Sequence, residues 1–187
     1  MITLIIVDCQ NDFITGTVTV KGAKNILEEI KKFVKNHRKE IDKIIFTVDW
    51  HPYNHISFKK YGGQLPHHCI QYTPGACIEP KLLKYIQSLN LDYEVLQKGI
   101  IKEIDESAAF NDIEFDTDEL GQRYFFDSLV IADFNTTFVI CGIEVQSAIS
   151  NLIFGGINPK IYFSGTVSSD MNNLEDFIKK NKLEKVV

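Results

Sequence analysis

The sequence predicts an α/β fold built on a doubly wound parallel sheet, and three observations carry that expectation. Thr3 to Val7, Ile44 to Val48 and Thr137 to Gly142 are continuously apolar, as in strands whose two faces are both covered. Helical stripes alternate with these runs, which gives a parallel sheet wound on both sides. Finally, Asp8, Asp49 and Lys98 stand at the carboxyl ends of Thr3 to Val7, Ile44 to Val48 and Tyr93 to Leu96, the sheet edge where such folds bind ligands.

In chain order, Thr3 to Val7 is the first strand, ending in Asp8. Gly16 and Gly22 bracket a loop. Ala23 to His37 carries Ile26, Leu27, Ile30, Phe33 and Val34 at helical spacing, a stripe that faces a core. Ile44 to Val48 is the second strand. The stretch from Pro52 to Ala76 is rich in Gly, Pro, His and Tyr, and a loop of that length is usually functional. Pro80 to Leu89 reads as a helix with Leu82, Leu83 and Ile86 inward. Tyr93 to Leu96 is a third strand running into Lys98. Ile113 to Phe126 has no clean period and is expected as a surface excursion, a hairpin arm. Asp127 to Phe134 reads as a short helix, Thr137 to Gly142 as the fourth strand and Gln146 to Phe154 as a helix. Lys160 to Phe163 and Leu174 to Lys180 complete the pattern as strand and helix.

Length and composition set bounds. The 187 residues fit one domain, 1–187, large enough to bury a full core. A net charge of -5 without a Lys/Arg cluster argues against a nucleic-acid surface. No apolar run approaches a membrane span, and the first residues lack the basic lead of an export signal. The four cysteines, Cys9, Cys69, Cys77 and Cys141, form no CxxC, so free thiols and a cytoplasmic location are expected.

The candidate site starts from Asp49-Trp50-His51-Pro52. Asp49 and His51 are two apart, so in extended backbone their side chains leave on the same side. A carboxylate and an imidazole converging there make most of a divalent-metal site, and Pro66-His67-His68-Cys69 can supply a third ligand. Spacing alone leaves a second reading open, in which Asp49 caps a turn and His51 is a surface histidine. Asp8 as a loop cap and Lys98 as a surface lysine are likewise open. If Lys98 lies beside Asp8, each should hold the other charged.

These motifs resemble the nicotinamidase branch of the isochorismatase-like cysteine hydrolases, in order over nearly the whole chain. Val7-Asp8-Cys9-Gln10-Asn11-Asp12-Phe13 resembles the opening aspartate motif. Asp49-Trp50-His51-Pro52 with His55 and Ser57-Phe58 resembles the metal motif. Pro66 to Gln71 with Thr73-Pro74-Gly75-Ala76 resembles the loop of the last metal histidine, and Lys98-Gly99 with Ser107 to Phe110 the lysine segment. The resemblance implies a three-layer, Rossmann-like sheet. Asp8 would be general base and acid, with Lys98 orienting and stabilising charge. Asp49, His51 and His68 would hold a divalent ion, zinc first, with manganese and iron as alternatives. Phe13, Leu65 and Ser107 would line the substrate pocket. Backbone N–H groups near Ile143, Glu144 and Ala148 would form an oxyanion hole, with a cis peptide joining Ile143 to Glu144. The implied activity is conversion of nicotinamide, a pyridine carboxamide, to nicotinate and ammonia, in a homo-oligomer. Ile113 to Phe126 is then an insertion that packs across a subunit boundary.

One departure dominates. The family's nucleophilic cysteine stands six residues after its glycine, and counting from Gly142 that position is Ala148. Ser147 turns away along the helix, and Cys141 lies before the turn. Losing a nucleophile costs several powers of ten in rate where residues act as a unit. Leu65 stands where the family usually has tryptophan, and Ser107 where it has tyrosine. A trapped amidohydrolase, a silent metal- and ligand-binding homologue and an isochorismatase-type hydrolase working without cysteine are the readings this leaves. The complete metal motif weighs against the third.

Overall fold

The computed structural model describes residues 1–106, 109 and 136–187, together with the backbone of 116–117 and 123–124. Its elements are β1 (Ile2–Val7), α1 (Asn11–Ile14), α2 (Ala23–Asn36), β2 (Ile41–Asp49), α3 (Pro80–Ser88) and β3 (Asp92–Lys98). After these come β4 (Asp116–Thr117), β5 (Arg123–Tyr124), β6 (Thr137–Ile143), α4 (Gln146–Phe154), β7 (Lys160–Val167), α5 (Met171–Lys180) and β8 (Lys185–Val186). Six strands form one parallel sheet in the order β3-β2-β1-β6-β7-β8. The chain runs outward from β1 through β2 to β3, then restarts on the other side of β1 with β6. The order therefore reverses between β1 and β6, and a crevice opens at the carboxyl ends of strands flanking such a reversal.

Alternate residues of the central strands feed two cores, as the strand period of two requires. Leu4, Ile6, Ile44, Phe46, Val139 and Cys141 face one side. There α2 buries Ile26, Leu27, Ile30, Phe33 and Val34, and α3 buries Leu82 and Ile86. Ile5, Val7, Ile45 and Ile140 face the other side, against Ile149 and Leu152 of α4 and Leu174 and Ile178 of α5. Each fully buried aliphatic side chain contributes about 1.5–3 kcal/mol, so the helical stripes read from the sequence are what fasten the outer layers. Local signals set the helix ends. Glu79 accepts a hydrogen bond from the Leu82 N–H at 2.7 Å ahead of Pro80, and Asp170 accepts one from the Asn173 N–H at 3.0 Å.

Several sequence expectations change in detail. The 52–76 stretch carries two single-turn 3₁₀ helices, Lys59–Tyr61 and Pro74–Ala76. The fifth expected strand continues beyond Phe163 to Val167, and the short strands and α1 carried too few residues to show a period. Within Ile113 to Phe126, Asp116–Thr117 and Arg123–Tyr124 pair antiparallel, as a hairpin arm requires. The expected helix at Asp127 to Phe134 lies outside the described residues. The expected cis peptide at Ile143–Glu144 is corrected: no described peptide is cis. The turn is made instead by positive φ angles, 117° at Gly142 and 50° at Glu144. Gly142 has no alternative residue, because a Cβ there would lie 2.2 Å from the Val7 carbonyl oxygen.

A candidate metal and acid–lysine centre

Asp8, Asp49 and Lys98 lie at the carboxyl ends of β1, β2 and β3, three neighbouring strands. Register makes them meet, since Asp49 and Lys98 are direct partners across β2 and β3. The Lys98 Nζ lies 2.9 Å from Asp8 Oδ2 and is also in contact with Asp49 Oδ1. All three side chains are buried, so this is a charge cluster withdrawn from water. Thr47 Oγ1 donates to Asp8 Oδ1 at 3.1 Å.

Burial dominates the titration of Asp8. It raises the carboxyl from 3.8 to about 6, against the pull of Lys98 and with the charge of Asp49 adding to the rise. Lys98 does pull toward the ionised form, as expected of a neighbouring ammonium, but desolvation outweighs it and leaves Asp8 titrating within reach of neutral pH. Asp49 goes the other way: burial acts to raise it, but Lys98 and the two histidines hold it well below the usual carboxylate range. Lys98 resists the burial that would discharge it, and the two carboxylates raise it above its ordinary value. Two carboxylates of opposite tendency around one ammonium are a common arrangement for proton transfer.

The free oxygen of Asp49 faces two imidazoles. His51 Nε2 lies 3.4 Å and His68 Nε2 3.5 Å from Asp49 Oδ2. The ligand atoms of Asp49, His51 and His68 all lie within 4.8 Å of one another. Two ligand atoms held about 2.1 Å from one tetrahedral ion stand about 3.4 Å apart, so the spacing fits a divalent metal. Tautomers fit too. His51 Nδ1 donates to the Gly99 carbonyl at 3.0 Å, and His68 Nδ1 donates to the Pro66 carbonyl at 2.9 Å. With Nδ1 so engaged, each Nε2 is the nitrogen that would turn its lone pair to an ion in the cradle, the usual support for a metal-binding imidazole. The described site thus has the donor set of a divalent metal centre. His55 is excluded from it, since Nε2 is engaged by the Ile104 carbonyl at 2.9 Å and Nδ1 by Ser57 Oγ at 2.7 Å. Its ring instead stacks on His51 at 4.2 Å.

A cavity of about 540 Å³ opens over the cradle, with Asp49, His51, His68 and Lys98 among its lining. Leu65 and Ile56 supply apolar wall, while Glu103, Asp105 and Glu106 supply an acidic one. Of the other expected pocket residues, Phe13 packs its ring 5.6 Å from that of His68. Ser107 lies outside the described residues. Ala148 is the third residue of α4 and is buried. Val7 and Gly142 are register partners, so the Ile143–Glu144 turn follows β6 alongside Asp8. The Glu144 carboxylate accepts from Ser168 Oγ at 2.7 Å and from the Ser169 N–H at 2.5 Å, which ties the turn to the end of β7.

Sequence reasoning missed Glu106, which accepts from the Gly99 N–H at 2.5 Å, and the side chains of Gln10 and Asp12. A tight polar run after the β1 aspartate was the available signal, and it was read only for Asp8.

Comparison with known proteins agrees with this geometry. Residues 3–92 match the family model described as the isochorismatase domain. The nicotinamidase of Acinetobacter baylyi is 28% identical over 190 residues, covering 90% of this chain and 82% of that protein. The crystal structure of the pyrazinamidase of Pyrococcus horikoshii in complex with zinc superimposes with a TM-score of 0.76 at 21% identity, over 99% of this chain and 98% of that one. The yeast nicotinamidase structure gives 0.77 at 20% identity, over 100% and 99%. Sheet topology and matched length agree: residues 3–92 are similar to the isochorismatase domain, the chain is similar to curated nicotinamidases, and its fold is that of the pyrazinamidase and nicotinamidase structures.

Proposed function

We propose that this chain is a nicotinamidase-type amidohydrolase scaffold whose nucleophile position holds Ala148. The observation that carries this reading is the buried Asp8–Lys98 pair joined through Asp49 to the Asp49, His51 and His68 cradle. A divalent ion held there, zinc foremost, would supply Lewis-acid positioning of a pyridine carboxamide. The rest falls to protein groups. Asp8 sits near 6, so at neutral pH it can accept a proton from an attacking group and return it to departing ammonia. Lys98 stays charged and steadies the carboxylate through both transfers. The Glu144 N–H is already donated to the Val167 carbonyl at 2.9 Å, so a developing oxyanion would draw on the backbone N–H groups at the start of α4, at Ala148, instead. Ala148 offers no electron pair, so the covalent step of the family is missing from this chain. Its relatives named as nicotinamidases support the substrate class.

Ala148 also favours a second reading, a protein that retains its metal and binds the amide without turning it over. Ammonia release from nicotinamide, with added zinc or manganese, separates the two. The sequence as given should be silent or slower by several powers of ten, and Ala148→Cys should release ammonia. Silence in both proteins, with nicotinamide binding retained, selects the second reading. Silence without binding overturns the pyridine carboxamide assignment.

A further inference from the structure

The loop after β1 does more than present Asp8. Gln10 is fully buried, and its side chain grips the last residue of β2 from both sides. Its Oε1 accepts from the Asp49 N–H at 2.7 Å, and its Nε2 donates to the Asp49 carbonyl at 2.7 Å and to the Ala76 carbonyl at 2.8 Å. Two residues on, Asp12 grips a different segment. Its Oδ2 accepts from the Cys69 N–H at 2.7 Å, on the peptide that follows His68, and its Oδ1 accepts from the Thr17 N–H at 3.3 Å. Between them, Asn11 donates from Nδ2 to the Pro74 carbonyl at 2.7 Å.

The fit around Asp12 is close. A Cβ at Gly75 would lie 2.1 Å from Asp12 Oδ2, and one at Gly16 would lie 2.2 Å from Oδ1. Cys69 itself has φ of 45°, a left-handed conformation that a non-glycine residue keeps only when its surroundings hold it there. The Asp12 carboxylate is the group that holds its N–H. His68 therefore reaches the cradle from a strained peptide fastened to α1, and Asp49 reaches it from a strand end fastened to Gln10, the residue that leads into α1.

We propose that Gln10 and Asp12 are positioning residues of the metal centre, setting the spacing of Asp49 and His68 from a common template. This rests on the metal reading of the Asp49, His51 and His68 cradle. Hydrogen bonds one step behind metal ligands typically govern metal affinity by 10–100-fold, and these two act on the backbone beside the ligands.

The test is zinc affinity of the full chain, measured by competition with a chromophoric chelator, with urea unfolding of the metal-free protein run in parallel. Asp12→Ala and Gln10→Ala are each expected to weaken zinc by about 10–100-fold. Asp12→Asn, whose amide oxygen can still accept from the Cys69 N–H, should recover most of the affinity. A purely structural role would lower metal-free stability in step with affinity and would show no such recovery. Should Asp12→Ala fail to fold, Gly75→Ala presses on the same carboxylate from outside and is expected to weaken zinc as well. Affinity within twofold of the parent in folded Asp12→Ala and Gln10→Ala overturns the inference, as does Asp12→Asn binding as weakly as Asp12→Ala. A parent chain that takes up no zinc overturns the metal reading, and this inference with it, so the two failures are told apart.

Discussion

Asp49 and Lys98 face one another as register partners on adjacent parallel strands, and their side chains close into a buried ion pair. The same ammonium serves Asp8 at 2.9 Å, so one cation balances two carboxylates. Replacing it leaves both buried acids without their shared ammonium, a change that costs about 3–5 kcal/mol in buried pairs.

Lys98→Met is therefore expected to destabilise the metal-free protein by about that amount at pH 8, read from urea unfolding. The pH dependence has a definite sign. Asp8 in the fold is raised from 3.8 to about 6, so between those values the folded chain keeps a proton that the unfolded chain has released. Ionised Asp8 thus opposes folding above pH 6, and the opposition fades as the pH falls toward 4. Without Lys98 the carboxyl rises further. The deficit of the variant should accordingly be smaller at pH 5 than at pH 8, and an equal deficit at both would refute this account of the cluster.

Asp49→Ala and His51→Ala should each abolish stoichiometric metal uptake while preserving the circular dichroism of the fold. Elemental analysis after gel filtration checks this. Full metal content in both variants would place the ion elsewhere.

Gly99 has φ of 64°, and a Cβ there would lie 2.3 Å from His51 Cε1. Gly99→Ala is expected to displace the imidazole and weaken metal binding by about tenfold, a typical cost of disturbing a ligand's support. Unchanged zinc affinity in a folded Gly99→Ala protein would show that His51 tolerates the shift.

Of the four free cysteines only Cys77 is exposed. Burial pushes the thiols of Cys9, Cys69 and Cys141 up, away from the reactive thiolate. Ellman's reagent should therefore titrate one thiol rapidly in the native protein and all four in urea, and Cys77→Ser should remove the fast phase. More than one fast thiol would contradict the burial described.

The sheet was legible because β1 and the end of β2 are apolar runs that stop abruptly in Asp8 and Asp49, whereas β3, which carries Lys98, alternates with Asp92, Glu94 and Gln97. Helices with strong periodicity, such as Ala23–Asn36, were legible to within a residue. What the sequence did not disclose depends on contacts between distant segments. Gln10 is polar yet fully buried because its partners are backbone atoms of Asp49 and Ala76, and the polar run that contains it does not name those distant partners. The raised titration of Asp8 likewise follows from how deeply three strand ends sink together, not from which residues they carry. Positive φ in the Ile143–Glu144 turn, where the family suggested a cis bond, is a local choice that Gly142 and Glu144 make between them.

Lys98 ends β3, which stands at the border of the six-stranded sheet and has β2 as its sheet neighbour. The cation that neutralises the interior thus hangs from the sheet's outermost ribbon, anchored by a ladder on one flank. Peripheral ribbons are where native sheets begin to fray. Under mild stress this protein should lose its charge balance before its architecture, passing through a form in which the framework is whole and the acids stand exposed.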